Sequence, residues 1–85
     1  MKTKLHIAGR DFTVDFIKGL ADDGSTDFVT NKILIRDELS DDNKLSTLIH
    51  EGLECLNNIY DLNLPHQTIQ TLEAGIFQII KDNDL

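Results

Sequence analysis

The chain has a single cysteine, Cys55, so it cannot form an intrachain disulfide. A lone cysteine is typical of proteins in a reducing cytosol. No stretch approaches the roughly 18 consecutive apolar residues of a transmembrane helix. The basic N-terminal residues are not followed by an apolar run of signal-peptide length. These absences predict a cytoplasmic protein with no membrane-spanning segment.

Basic residues are also few, with 8 Lys and Arg against 15 Asp and Glu and a formal net charge of −7. A field of that sign repels phosphate, so the composition predicts no binding to nucleic acid. The acidic residues are spread along the chain, which is the ordinary pattern of a solvated surface and also fits a basic partner. With 85 residues there is room for one core, so we predict a single domain over residues 1–85.

Hydrophobic periodicity predicts strands first and helices afterwards. Residues 3–17 form two runs with alternating apolar positions, which indicates a hairpin, and Phe28 to Arg36 reads as a third strand after a polar loop at 19–27. Ser40 is a suitable N-cap for a helix from about Asp41 to Tyr60. The only proline, Pro65, suits the start of a second helix that runs to about residue 81. The predicted class is α+β, with a small antiparallel sheet, a hairpin plus a third strand, followed by two packed helices.

Several polar residues lie where the helical pattern predicts burial. Glu73 falls in the middle of the apolar stripe of the second helix, where an unpaired charge is costly, and His66 precedes it by two turns on the same line. His50 and Glu54 are four residues apart, so they share one face of the first helix. If the helices pack antiparallel, these four side chains form one cluster. Imidazole and carboxylate groups are ordinary ligands of Zn²⁺, Mn²⁺ and Fe²⁺.

The segment "HEGLE", residues 50–54, has an HExxE pattern in place of the HExxH of zinc peptidases. Eighteen residues separate Glu54 from Glu73, which is similar to the spacing in gluzincin-type peptidases, where a glutamate on the following helix is the third ligand. This similarity predicts His50, Glu54 and Glu73 as metal ligands with His66 near them. Glu51 is then the candidate general base, because it adjoins the first ligand.

The segment "TLIHEGLECLNNIYDLNLPHQTIQTLEAGIFQIIKDN", residues 47–83, resembles a group of small phage and prophage proteins that look like zincin-like metallopeptidases. The resemblance extends over residues 28–83 and includes the strand "KILIRDEL". It implies a minimal zincin-like fold, divalent-metal binding with zinc as the first expectation and manganese or iron as alternatives, and a bacterial cytoplasm as the location. It implies no particular substrate.

The residues alone leave other roles open. His50 can be a protonated imidazole between Glu54 and Glu73, which needs no metal. His66 can be an ordinary surface histidine at a helix start, and Glu51 can be a solvated helix residue. A second glutamate in place of a histidine also lowers the net charge at a bound metal, so it weakens the activation of water.

The sequence therefore supports two functional hypotheses. The first is a small zincin-like metal-binding protein, with metal-dependent hydrolysis of a peptide bond as its activity if it is an enzyme. The second is a noncatalytic phage-type module that binds a host protein through an acidic surface. A homodimer built on exposed parts of the two helices is a further expectation.

Overall fold

The structure, a computed structural model, describes residues 2–85. Four strands are followed by two helices: β1 (Lys2–Ile7), β2 (Arg10–Ile17), β3 (Gly24–Asp27), β4 (Lys32–Arg36), α1 (Asp41–Ile59) and α2 (His66–Asp82). The predicted α+β class is confirmed, and both helices lie within one residue of their predicted bounds. Ser40 caps α1 as expected, because its Oγ accepts a hydrogen bond from the backbone N–H of Asn43 at 3.2 Å.

The sheet is mixed, with the strand order β1-β2-β4-β3. The β1–β2 and β3–β4 pairs are antiparallel, whereas β2 and β4 run parallel. The prediction of a three-stranded antiparallel sheet is therefore wrong in strand number and in direction. The β1–β2 hairpin itself is confirmed: Ala8 and Gly9 have φ values of 51° and 76°, which is the two-residue turn that matches the twist of paired strands.

The predicted third strand, Phe28–Arg36, begins too early, because residues 28–31 form a turn. The Asp27 carboxylate accepts backbone N–H bonds from Val29 at 2.9 Å and Thr30 at 3.2 Å, and Asn31 has a φ of 53°. Only residues 32–36 continue as β4. The polar residues 24–27, which the composition predicts as loop, form β3 instead, because an edge strand with an exposed face needs few apolar residues.

The core lies between one face of the sheet and α1. Alternate residues of the two central strands point inward and are fully buried: Phe12, Val14, Ile33 and Ile35. Cys55 from α1 packs against them. Within residues 2–85, α2 packs against α1 and against none of the four strands, so α2 forms an outer layer. No helix in that range is long and apolar enough to cross a membrane.

Candidate metal centre

The link between the two helices determines which residues of α2 lie beside α1. After α1, Asp61 and Asn63 adopt left-handed backbone conformations with φ values of 52° and 56°. The side chain of Asn57 then binds the backbone of Leu64 twice: Oδ1 accepts the N–H at 2.9 Å and Nδ2 donates to the carbonyl at 3.5 Å. We call this pair of hydrogen bonds the Asn57 clamp. It fixes the chain two residues before His66, the first residue of α2.

Three side chains converge beside this clamp. His50 and Glu54 of α1 and His66 of α2 each offer one ligand atom, and these atoms lie within 4.8 Å of one another. His50 Nε2 is 3.9 Å from Glu54 Oε2, and the two imidazole rings meet edge to face with their centroids 5.6 Å apart. His50 and Glu54 are half-buried, whereas His66 is exposed and its Nε2 lies 3.1 Å from the Gln70 amide nitrogen. We call His50, Glu54 and His66 the ligand cluster.

Glu73 contacts the other side of the His50 ring. His50 Nδ1 donates to Glu73 Oε1 at 2.8 Å, and the Ser46 hydroxyl donates to Oε2 at 2.6 Å. In a neutral ring this bond places the proton on Nδ1 and leaves the lone pair of Nε2 directed toward Glu54. A carboxylate that holds the remote nitrogen of a histidine is the usual partner of a metal-ligating imidazole.

Glu51 is buried, with 7% of its surface exposed, so the alternative of a solvated helix residue is wrong. The Thr26 hydroxyl of β3 donates to Glu51 Oε1 at 2.7 Å. Burial is the main influence on this carboxyl group and raises its pKa, while the Thr26 bond acts in the opposite direction. A raised pKa is a common property of carboxylates that accept and return a proton in catalysis.

Helix α1 approaches β3 closely at Gly24. A Cβ atom at this position would lie 2.6 Å from Thr47 Cγ2 and 3.3 Å from Glu51 Cγ and Oε2. A side chain at residue 24 would therefore push α1 away from the edge of the sheet. The absence of a side chain allows Glu51 to reach β3.

Two openings flank Glu51. A cavity of about 420 Å³ lies on the side of His50 and Glu73 and is lined on its other side by residues 21–24. Another, of about 300 Å³, lies on the side of Glu54 and Asn57 and reaches Thr26. Glu51 is thus the residue that both openings share, and each opening also reaches one member of the ligand cluster.

Cys55 is close to this region but is fully buried. Burial raises the pKa of its thiol to about 11, so the group is neutral near pH 7. A protonated, buried thiol is neither a nucleophile nor a ready metal ligand. Cys55 is therefore a packing residue of the core.

The structure brings all five predicted site residues into one region, but it arranges two of them differently from the expectation. Glu73, predicted as a ligand, contacts His50 and Ser46, whereas His66, predicted to lie near the ligands, belongs to the ligand cluster. Three residues with structural roles at the site were not predicted: Thr26, Ser46 and Asn57. Ser46 lies four residues before His50 on the face of α1 that meets α2, which is the one signal the sequence offered.

Comparisons of the chain with protein-family models, with curated proteins and with solved structures found no match. The resemblance to zincin-like phage proteins therefore stays a prediction.

Proposed function

We propose that the protein binds one divalent metal ion, zinc in the first place, through His50, Glu54 and His66. The observation that carries the proposal is the ligand cluster itself, in which two imidazoles and one carboxylate from two helices lie within 4.8 Å of one another. Manganese and iron(II) accept the same donors and are the alternatives. Glu73 is then the residue that orients His50, and Ser46 holds Glu73.

The distances agree with this role. Ligand atoms bound at about 2.1 Å in a tetrahedral zinc site lie roughly 3.4 Å from one another. His50 Nε2 and Glu54 Oε2 are 3.9 Å apart, so an ion would need to draw them only slightly closer. His66 is exposed at the first residue of α2, and its ligand atom already lies within 4.8 Å of those of the other two residues.

The ligand cluster suits a catalytic metal better than the ligand set predicted from the sequence, which was His50, Glu54 and Glu73. Two neutral imidazoles and one carboxylate leave a net charge of about +1 on zinc, as in known catalytic sites with two histidines and a glutamate. One histidine with two glutamates would leave the site neutral. A bound zinc ion with residual positive charge lowers the pKa of a coordinated water, so hydrolysis at neutral pH becomes accessible.

The reaction class that we propose is hydrolysis of a peptide bond, with Glu51 as the general base. Glu51 adjoins His50, is buried, and faces both openings beside the ligand cluster. The position of strand β3 is the reason for proposing a peptide as the substrate. The strand is at the edge of the sheet, and its Gly24 lines the cavity that Glu51 and His50 also line. An extended chain pairs with a free strand edge through main-chain hydrogen bonds.

Metal content is the experiment that tests the binding proposal. We expect about one equivalent of zinc, manganese or iron in untagged protein purified without chelator. The variants His50→Ala and His66→Ala should each lose it, while Asn58→Ala, an exposed change on α1, should retain it. Protein that carries no metal, and whose thermal stability zinc does not change, would leave His50 and the glutamates as a charge network.

Hydrolysis is tested separately with a pool of internally quenched peptides. We expect cleavage by the metal-loaded protein that stops on chelation, and a loss of about 10²–10⁴-fold in Glu51→Gln with one equivalent of metal still bound. Equal activity in Glu51→Gln and in the unchanged protein would exclude Glu51 as the base.

A second candidate function, a noncatalytic module that binds a basic protein surface, is supported by the uneven distribution of charge. Residues 37–85 carry ten of the 15 acidic residues and only two basic ones, Lys44 and Lys81. Binding of this kind should weaken steeply between low and high salt and should persist in Glu51→Gln. Retention at high salt would contradict it.

A further inference from the structure

A second opening lies away from the ligand cluster, between the outer strand of the sheet and the first helix. It has a volume of about 400 Å³, and apolar side chains form most of its walls: Leu5, Ile7 and Ala8 from β1 and its turn, and Leu48, Ile49 and Leu56 from α1. Gly52 forms part of the floor, and a Cβ atom there would meet nothing within 4 Å. We call this opening the β1–α1 groove. Gly52 is two residues after His50, which places it on nearly the opposite side of α1.

The β1 strand borders the groove with an unpaired edge, because it is the first strand in the order β1-β2-β4-β3. The two-residue turn makes Ile7 and Arg10 a hydrogen-bonded pair, and such pairs alternate along antiparallel strands. Leu5 is therefore also bonded to β2, whereas the backbone groups of Lys4 and His6 point outward along the free edge. An incoming strand would find unused donors and acceptors at those two residues.

The charged residues of β1 indicate which side chains an incoming strand should carry. The sequence of β1 has Lys2, Lys4 and His6 and no acidic residue, in a chain with a net charge of −7. His6 already pairs with Asp11 across the hairpin. Lys4 lies opposite Thr13 and is exposed. None of the ion pairs among residues 2–85 includes Lys4. Lys2 lies opposite Asp15 in the hairpin register, so Lys4 is the cation of β1 that has no acidic residue directly opposite. A strand added at this edge therefore meets Lys4 on one face and the apolar groove on the other.

We propose that the β1–α1 groove binds an extended segment of another protein in which apolar and acidic side chains alternate. The segment adds to the free edge of β1 by main-chain hydrogen bonds. Because successive side chains of a strand point to opposite faces, its apolar residues enter the groove while its acidic residues lie beside Lys4. A second copy of this chain is a poor occupant, since pairing β1 with β1 places strands of the same charge together.

The probe is a synthetic heptapeptide with alternating glutamate and isoleucine, acetylated and amidated at its ends. Its binding is measured by NMR, from the changes in the amide chemical shifts of the isotope-labelled protein. We expect saturable binding with shift changes confined to β1 and to residues 48–56. The same peptide with lysine in place of glutamate should bind at least about tenfold more weakly. Lys4→Glu should reverse this preference, whereas Lys32→Glu, an exposed lysine on β4, should keep it.

The decisive variant is Gly52→Leu, which fills the groove at a helical position with open space around it. Replacing a glycine in a helix interior favours folding. We expect binding of the acidic peptide to fall at least about tenfold in Gly52→Leu, while zinc binding is unchanged and Gly75→Leu, the matched change on α2, has no effect. The proposal is overturned if the acidic peptide produces no shifts up to about 1 mM, or if Gly52→Leu binds it as well as the unchanged protein. It is equally overturned if sedimentation shows a dimer and the amide shifts of β1 and residues 48–56 change with protein concentration in the absence of peptide.

Discussion

Glu73 has both carboxylate oxygens engaged, one by the His50 ring and the other by the Ser46 hydroxyl. This explains how a carboxylate persists in the apolar stripe of α2, because each oxygen accepts a short hydrogen bond where water is partly excluded. The same two hydrogen bonds determine the role of Glu73 at the proposed metal site. It orients the His50 ring, and both of its oxygens are already engaged by His50 and Ser46.

The first prediction at the residue scale concerns Glu73→Gln. Glutamine retains an acceptor for one neighbour and removes the charge, so we expect zinc affinity to fall about 10–100-fold. One equivalent should still bind when zinc is in excess, because His50, Glu54 and His66 remain. The measurement is a competition titration with a chromophoric chelator, with Glu54→Gln as the comparison that removes a ligand. If Glu73→Gln abolishes binding as completely as His50→Ala, Glu73 is itself a ligand.

At the scale of elements, the link between α1 and α2 decides which residues reach the ligand cluster. The Asn57 clamp and the left-handed residues Asp61 and Asn63 fix both the length and the direction of the turn. Periodicity in the sequence placed His50, Glu54 and Glu73 on the correct faces. It could not predict how far α2 is displaced along α1, and this displacement assigns His66 rather than Glu73 to the ligand cluster.

The second prediction follows from the clamp. Asn57→Ala removes both hydrogen bonds to Leu64, and we expect the free energy of unfolding to fall by about 1–2 kcal/mol. Zinc affinity should also fall, because His66 follows Leu64 by two residues. Urea denaturation and the chelator competition measure the two effects. Asn58→Ala, which changes an exposed neighbour, should alter stability by no more than about 0.5 kcal/mol; equal stability of the two variants would contradict a role for the clamp.

The β3–β4 turn shows why one strand could be predicted and the other could not. The pattern of Ile33 and Ile35 correctly identified a strand with one buried face, since both are fully buried in β4. The polar residues 24–27 carry no such pattern, because β3 is held by backbone pairing with β4 and by the Thr26–Glu51 bond. Strands β2 and β4 are parallel neighbours because β3 lies at the outer edge of the sheet, beyond β4. The periodicity of the sequence does not encode this strand order.

The third prediction concerns the pH dependence of this turn. The backbone N–H groups of Thr30 and Val29 lower the pKa of Asp27. A carboxyl group whose pKa is lower in the folded state stabilises the protein above its unfolded pKa of about 3.9, and this contribution disappears as the pH falls through the folded value. We therefore expect Asp27→Asn to be less stable than the unchanged protein at pH 7. Urea denaturation should show the difference narrowing from about pH 5 downward; a difference that is constant with pH would exclude the charge of Asp27 as its cause.

At the scale of the whole molecule, α2 is the least anchored element. It packs on α1 alone among the described elements, and only Ile69 of its side chains is fully buried. The half of the chain that contains both helices also holds ten acidic residues, including Glu51, Glu54 and Glu73 around His50. Repulsion among these carboxylates opposes the packing of α2. A cation that joins His50 and Glu54 to His66 would relieve the repulsion and connect the outer layer to the rest of the fold.

The fourth prediction is that zinc stabilises the whole protein, with the largest effect on α2. A ligand that binds only the folded state adds about 2.7 kcal/mol at a free concentration 100 times its dissociation constant. For a domain of this size, that corresponds to a rise in Tm of roughly 10–20 °C. Hydrogen exchange should show the greatest gain of protection in α2, since an ion bound across the two helices prevents α2 from separating alone. The variant His66→Ala lacks the ligand on α2 and should lose the bound ion, so its α2 amides should gain almost no protection when zinc is added. Equal protection by zinc in His66→Ala and in the unchanged protein would place the ion elsewhere and remove the role of α2 in binding it.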